Sequence, residues 1–101
     1  MRTSYGVVWR IGENRLARGK LELLPRMVRL DGVTGEEHVA LDIPYEELDG
    51  VHVGREPSER LNGHATLVLE PRGRQPIVVS AVAQAGVIAE LTERIAKLTL
   101  T

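Results

Sequence analysis

The chain has 101 residues, of which 43% are hydrophobic and 27% charged, and this size and composition are typical of one soluble globular domain. Cysteine is absent, which excludes disulfides, thiolate metal sites and a cysteine nucleophile. The net charge of −1 and an isoelectric point near 6.3 argue against nucleic-acid binding, because nucleic-acid-binding domains present a basic field to phosphate.

Alternating apolar and polar residues predict three half-buried strands in the first third of the chain. The residues on their inward faces are Tyr5, Val7, Trp9 and Ile11, then Leu21 and Leu23, then Val28 and Leu30. Gly12–Asn14 has turn residues after the first strand, and Pro25 marks a corner between the second and third. The glycines of Asp31–Gly35 predict a loop after the third strand.

Four further strands follow by the same pattern. Val39, Leu41 and Ile43 are predicted to face inward in the fourth strand, and Leu48, Val51 and Val53 resume the pattern in the fifth. Ala65, Leu67 and Leu69 mark the sixth strand, and Ile77–Val79 is the seventh. Pro44 cannot donate a ladder hydrogen bond and is expected at a strand end. The spacing near Asp49 and Gly50 indicates a turn or bulge. Gly54–Gly63 is predicted to be the longest loop, and Pro71–Arg74 a hairpin turn.

The apolar period changes near the C-terminus. Ile88, Leu91, Ile95 and Leu98 recur at intervals of three and four residues, which predicts an amphipathic helix over residues 84–98. Because such a helix has one apolar stripe, it must pack on another element, most simply on the open end of the strand assembly.

The order of seven short strands and one closing helix resembles the pleckstrin-homology-like superfold, especially its short bacterial and GRAM-like members. The segments that carry the resemblance are Gly19–Leu23 with Met27–Leu30, Ile43–Leu48 with Val51, Ala65–Leu69, and the final helix. The resemblance implies a mainly β fold, a seven-stranded sandwich or partly open barrel capped by one C-terminal α-helix. We expect this single domain to cover residues 1–101.

Some pleckstrin-homology domains bind phosphoinositides through basic residues on the first two strands. The nearest counterparts here are Arg10, Arg18 and Lys20, with Arg15 in the intervening loop. Guanidinium and ammonium groups at a hairpin mouth can bind phosphate, which makes an anionic lipid a possible ligand. The alternative is that these side chains are solvated on a strand face, because many members of the fold bind no lipid.

Three valines fall on the phase opposite the predicted core, namely Val8, Val68 and Val78. If they are exposed, they form an apolar patch suited to self-association or to docking of a protein partner. A strongly twisted sheet could instead bury both phases. The free sheet edges of such a fold can also accept a strand from a partner.

No residue pattern indicates catalysis or a resident metal or cofactor. His38, His52 and His64 lie on or beside the polar phase of predicted strands and are not spaced as metal ligands in sequence. The carboxylates of Glu46, Glu47 and Asp49 are expected to be solvated at an exposed corner. We therefore predict that the protein is not an enzyme.

Charge is segregated along the chain. Residues 1–30 carry seven Arg and Lys against two Glu, a net charge of +5, and residues 31–70 carry ten Asp and Glu against two Arg, a net charge of −8. Residues 71–101 have a net charge of +2. If these segments occupy different faces, the domain is electrically polarised, which orients docking partners.

These observations predict a small binding module for a protein partner or for self-association. The alternative is anionic-lipid binding, and an enzyme or ligand carrier with an inconspicuous pocket is a third reading. The N-terminus has no signal-peptide pattern and no segment is apolar enough to cross a membrane, so we expect a cytoplasmic protein without a transmembrane segment.

Overall fold

Seven antiparallel strands and one C-terminal helix make up the fold in the computed structural model, which describes residues 3–61, 64–82 and 86–99. The elements are β1 (Ser4–Ile11), β2 (Ala17–Leu23), β3 (Met27–Thr34), β4 (Glu37–Pro44), β5 (Leu48–Gly54), β6 (Thr66–Pro71), β7 (Ile77–Ala81) and α1 (Val87–Thr99). Short 3₁₀ helices occupy Tyr45–Glu47 and Pro57–Glu59.

The strands form one continuous sheet in the order β4-β3-β2-β1-β7-β6-β5, which curls into a half-open barrel. Pairing of β1 with β7 joins the first four strands to the last three, so the sheet's edges are β4 and β5. The helix α1 packs on β5, β6, β7 and the first 3₁₀ helix. The predicted fold class, a mainly β partly open barrel with one C-terminal helix, is confirmed.

The inner faces of the strands form the core predicted from their alternation. Among its fully buried side chains are Trp9, Leu21, Leu30, Ile43, Leu67, Leu69, Ile77, Leu91 and Ile95. Tyr5 and Trp9 are 3% and 2% exposed, which confirms that these aromatic residues belong to the core. Ala65 differs from its prediction, because it precedes β6 and is exposed.

The corner between β4 and β5 is built around Tyr45. Its side chain is buried, its hydroxyl donates to the Leu24 carbonyl at 2.8 Å, and its backbone N–H donates to the Arg26 carbonyl at 3.1 Å. Ile43 and Leu48 on either side are buried as well. The corner therefore has an architectural role, tying the β4–β5 connection to the β2–β3 turn.

One loop was predicted in the wrong place. β3 continues to Thr34, and the turn that follows is centred on Gly35, whose φ is +61°. Gly32 lies within the regular strand β3. A side chain does not fit at this position, because the backbone of Arg18 and the ring of Trp9 approach its Cα too closely. A Cβ at Gly32 would lie 2.8 Å from Cη2 of Trp9.

The helix α1 is held to β1 by hydrogen bonds as well as by apolar packing. Ile88, Leu91 and Ile95 are buried, as their spacing predicted. The Tyr5 hydroxyl donates to Oε2 of Glu90 at 2.9 Å and accepts from Nη1 of Arg94 at 2.5 Å. Burial, followed by the hydrogen bond to Glu90, raises the pKa of Tyr5. Residues 84 and 85 of the predicted helix lie outside the described residues.

Candidate functional site

The predicted phosphate-binding residues are placed on two different parts of the barrel. Arg10, Arg18 and Lys20 lie on the outer face of β1 and β2, where Arg18 is directly opposite Val8 and Lys20 is opposite Gly6. Arg15 belongs to the β1–β2 turn at the open end of the barrel. The sheet therefore brings three of these four cations to one face.

Two of those three cations are already engaged. Arg10 donates from Nε to the Gly12 carbonyl at 2.9 Å and from Nη2 to the Ser58 carbonyl at 3.3 Å. Lys20 lies 3.5 Å from a carboxylate oxygen of Glu22. Arg18 is exposed and forms no ion pair with any residue that the structure describes. Arg18 is accordingly the cation of this face that a ligand can reach without breaking an existing contact.

The expected apolar patch of Val8, Val68 and Val78 is not an exposed surface. Val68 is 2% exposed and Val78 is 6% exposed, because Leu61 of the β5–β6 loop packs over them. Val8 is half-buried against the same cluster. The prediction overlooked Leu61, since a residue in a polar ten-residue loop gives no periodic signal of burial.

Contacts with β1, β5 and β6 hold that covering loop in place. The Arg10 bond to Ser58 is one of them, and the Thr66 hydroxyl donates to the Glu59 carbonyl. Nε2 of His52 lies 2.8 Å from a carboxylate oxygen of Glu59, and Nδ1 lies 2.9 Å from one of Glu70. His52 thus lies between Glu59 of the loop and Glu70 of β6.

Beside this covered cluster, the outer face remains accessible at Arg18 and Val33. Val33 on β3 is 47% exposed and lies directly opposite Arg18, which in turn lies opposite Val8. These three side chains cross the sheet as one row, which we call the outer patch (Val8, Arg18 and Val33). Val33 was not predicted as a surface strand residue, because the glycines beside it indicated a loop.

The charge segregation seen along the chain is partly cancelled in the fold. Arg29 of β3 donates to both carboxylate oxygens of Asp42, at 2.7 and 3.2 Å. Arg72 lies 3.1 Å from Asp49, and Arg74 lies 3.8 Å from Glu47. The basic termini of the sequence thus neutralise part of its acidic middle, and the hydrogen bond from Arg29 lowers the pKa of Asp42.

The open end of the barrel, away from α1, contains a cavity of about 330 Å³, which we call the mouth cavity. Its lining residues are Trp9, Ile11, Asn14, Arg15, Ala17, Thr34 and Val39. Oγ1 of Thr34 is buried and has no hydrogen-bond partner among residues 3–61, 64–82 and 86–99. The pattern of the sequence did not indicate this cavity, because its residues come from β1–β4 and one turn.

Within the described part of the chain, no three His, Asp or Glu side chains are grouped as metal ligands. His38 instead lies 2.6 Å from Oδ1 of Asp31. The described segments also contain no helix that is long and apolar enough to span a membrane.

Comparison with known proteins supports the architecture alone. A crystal structure described as the C-terminal domain of an unknown protein from Leishmania infantum is similar, with a TM-score of 0.71 over 97% of this chain and 82% of that chain. The sequence identity is 12%, so the likeness concerns the fold. No family model and no curated protein matches the chain.

Proposed function

We propose that the chain is a non-enzymatic, pleckstrin-homology-like binding module that recognises a protein surface through its outer patch. The observation that carries the proposal is the row of Val8, Arg18 and Val33, in which a cation without an ion pair in the described chain stands between two valines. A partner that presents apolar side chains and a carboxylate complements this row.

The overall arrangement supports the pleckstrin-homology-like assignment. Seven meandering strands curl into a half-open barrel, and one C-terminal helix packs against the last three. The proposal includes a cytoplasmic location, in keeping with the absence of cysteine. The partner is either another protein or a second copy of the chain, whose acidic β4–β5 region would supply the carboxylates.

Anionic-lipid binding is the second candidate function. Arg10, Arg18 and Lys20 share the outer face, as a headgroup site on the first hairpin would require. Binding of a phosphate there would compete with the contacts of Arg10 to Ser58 and of Lys20 to Glu22. For this reason the protein-binding proposal is favoured over the lipid one.

The decisive experiment compares Arg18→Glu and Val33→Glu with the control Arg26→Glu. Arg26 is an exposed cation in the β2–β3 turn, so its reversal changes the net charge equally without altering the outer patch. Light scattering on the pure chain measures self-association, and affinity capture with cross-linking identifies a bound protein.

We expect one species, a second copy or a captured protein, to be retained by the wild type and Arg26→Glu and lost by both outer-patch variants. If the wild type and all three variants retained the bound species, the interface would lie outside the outer patch. Co-sedimentation with phosphatidylserine vesicles is run in parallel. Binding to vesicles that is lost on Arg18→Glu, without any protein partner, would replace the proposal by the lipid alternative.

A further inference from the structure

We infer that the mouth cavity is a binding site for a small amphipathic carboxylate, with its apolar chain inside the barrel and its carboxylate beside Arg15. The cavity lies at the open end of the barrel and is separate from the outer patch on the outer face. The inference therefore does not rest on the proposed protein-binding function.

The size and lining of the cavity suit an aliphatic chain. Its volume of about 330 Å³ falls at the lower end of the range found for small-molecule sites, roughly 300–1,000 Å³. The indole of Trp9 and the side chains of Ile11, Ala17 and Val39 supply most of the wall. An apolar chain placed there is removed from water against side chains that already face inward.

Trp9 is positioned at this end of the barrel by the glycines of β2 and β3. Gly19 is opposite Gly32 in the register, and the ring of Trp9 lies against Gly32. Because no side chain projects from Gly32, the indole can lie close to the sheet and form one wall of the cavity. The wall is thus preformed, which reduces the ordering cost of binding.

The hydroxyl of Thr34 is the second observation that points to a ligand. Its Oγ1 is buried with no hydrogen-bond partner in the described chain, and Thr34 lines the cavity. A buried polar atom without a partner is destabilising, and native proteins usually satisfy such atoms. Rotation about the Cα–Cβ bond of Thr34 would turn this hydroxyl into the cavity, where a ligand oxygen would accept a hydrogen bond from it.

Arg15 determines the charge of the ligand. Its guanidinium lies beside Gly35 of the β3–β4 turn, where a Cβ would be 3.2 Å from Nη2, and so it reaches from one turn to the other. Arg15 forms no ion pair with the residues that the structure describes. A guanidinium in this position can bind a carboxylate through two parallel hydrogen bonds.

Octanoate below its micelle concentration is the probe, and octanol is its uncharged counterpart. Because Trp9 is the only tryptophan in the chain, its fluorescence reports binding in the cavity, and calorimetry gives the affinity. The variants are Arg15→Ala and Thr34→Val, with Arg26→Ala as the control for loss of one positive charge.

We expect octanoate to shift the emission of Trp9 in the wild type and in Arg26→Ala. Arg15→Ala should weaken octanoate binding about tenfold and leave octanol binding unchanged, because it removes a charge-assisted contact. Thr34→Val should weaken octanoate binding several-fold while keeping or raising the melting temperature, since it removes an unsatisfied buried hydroxyl.

Three results would overturn the inference. One is the absence of octanoate binding to the folded wild-type chain. Another is binding that leaves the emission of Trp9 unchanged, since the site would then lie elsewhere. The third is equal octanoate affinity in Arg15→Ala and Arg26→Ala, which would show that Arg15 does not contact the carboxylate. Loss of protein binding on Arg18→Glu is measured separately, so failure of one proposal does not decide the other.

Discussion

At the scale of single residues, two glycines in similar strands have opposite surroundings. A Cβ at Gly32 would come against the Arg18 carbonyl oxygen and within 2.8 Å of the Trp9 ring. A Cβ at Gly6 would meet no described atom within 4 Å. The packing of β2, β3 and Trp9 therefore depends on the missing side chain at Gly32 and not on that at Gly6.

We predict that Gly32→Ala lowers the free energy of unfolding by about 1–3 kcal/mol, because the added methyl overpacks a backbone contact that cannot give way. Gly6→Ala should leave it unchanged or raise it by up to about 1 kcal/mol, since alanine is favoured over glycine in a strand interior. Urea denaturation of the two variants measures the difference. Equal stability would contradict the close approach of β2, β3 and Trp9.

At the scale of elements, the β5–β6 loop functions as a cover for the outer side of β6 and β7. Leu61 packs over Val68 and Val78, and the loop is held through Ser58 and Glu59. The cover explains why Val68 and Val78, which lie in the solvent-facing phase of the sequence pattern, do not form an interaction surface.

We predict that Leu61→Ala destabilises the protein by about 2–3 kcal/mol, as for other buried leucines, and exposes an apolar patch that promotes self-association. Leu16→Ala is the matched control, because Leu16 is 44% exposed and its truncation should be nearly neutral. Chemical denaturation and light scattering check both effects. An equally stable, unassociated Leu61→Ala variant would show that the loop does not cover β6 and β7.

The contact between His52 and Glu59 gives the loop a pH dependence on the acid side. The hydrogen bond from His52, followed by one from the Glu56 backbone, lowers the pKa of Glu59 below its ordinary value of 4.5. A carboxyl whose folded-state pKa is depressed contributes stability above its unfolded pKa. That contribution is lost as the pH falls through the folded value.

We therefore expect Glu59→Gln to reduce the loss of stability between about pH 6 and pH 3, because the variant has no carboxyl to protonate there. Thermal unfolding across this range measures the slope, with Glu36→Gln in the exposed β3–β4 turn as the control. A slope equal to that of the wild type would mean that the His52–Glu59 contact does not stabilise the folded loop.

At the scale of the whole molecule, strand alternation and the period of α1 predicted the strands, most of the core and the closing helix, whereas the partly open barrel was implied by the resemblance to the pleckstrin-homology-like superfold. Those signals arise because each element buries one face. The outer patch and the mouth cavity could not be predicted in the same way. Val33 lies beside Arg18 only because of the register between β2 and β3. Thr34 and Trp9 line the same cavity only because the four strands β1–β4 curl together.

Curling of the sheet also decides which charges remain available to a partner. Pairs such as Arg29 with Asp42 and Arg72 with Asp49 join segments of opposite charge, whereas Arg18 keeps no such pair in the described chain. These pairs are exposed, so each contributes little to stability. Their arginines are nevertheless less available to contact a partner, because each already contacts a carboxylate. Our central proposal is that Arg18, which stands between Val8 and Val33, is the centre of the recognition surface.

The most direct test is the dissociation constant of the captured partner, or of the self-associated dimer, for Arg18→Glu against Arg26→Glu. We expect Arg18→Glu to weaken binding at least about tenfold, since it places a like charge opposite the partner's carboxylate, and Arg26→Glu to stay within about twofold of the wild type. Equal dissociation constants for the two variants would contradict the account.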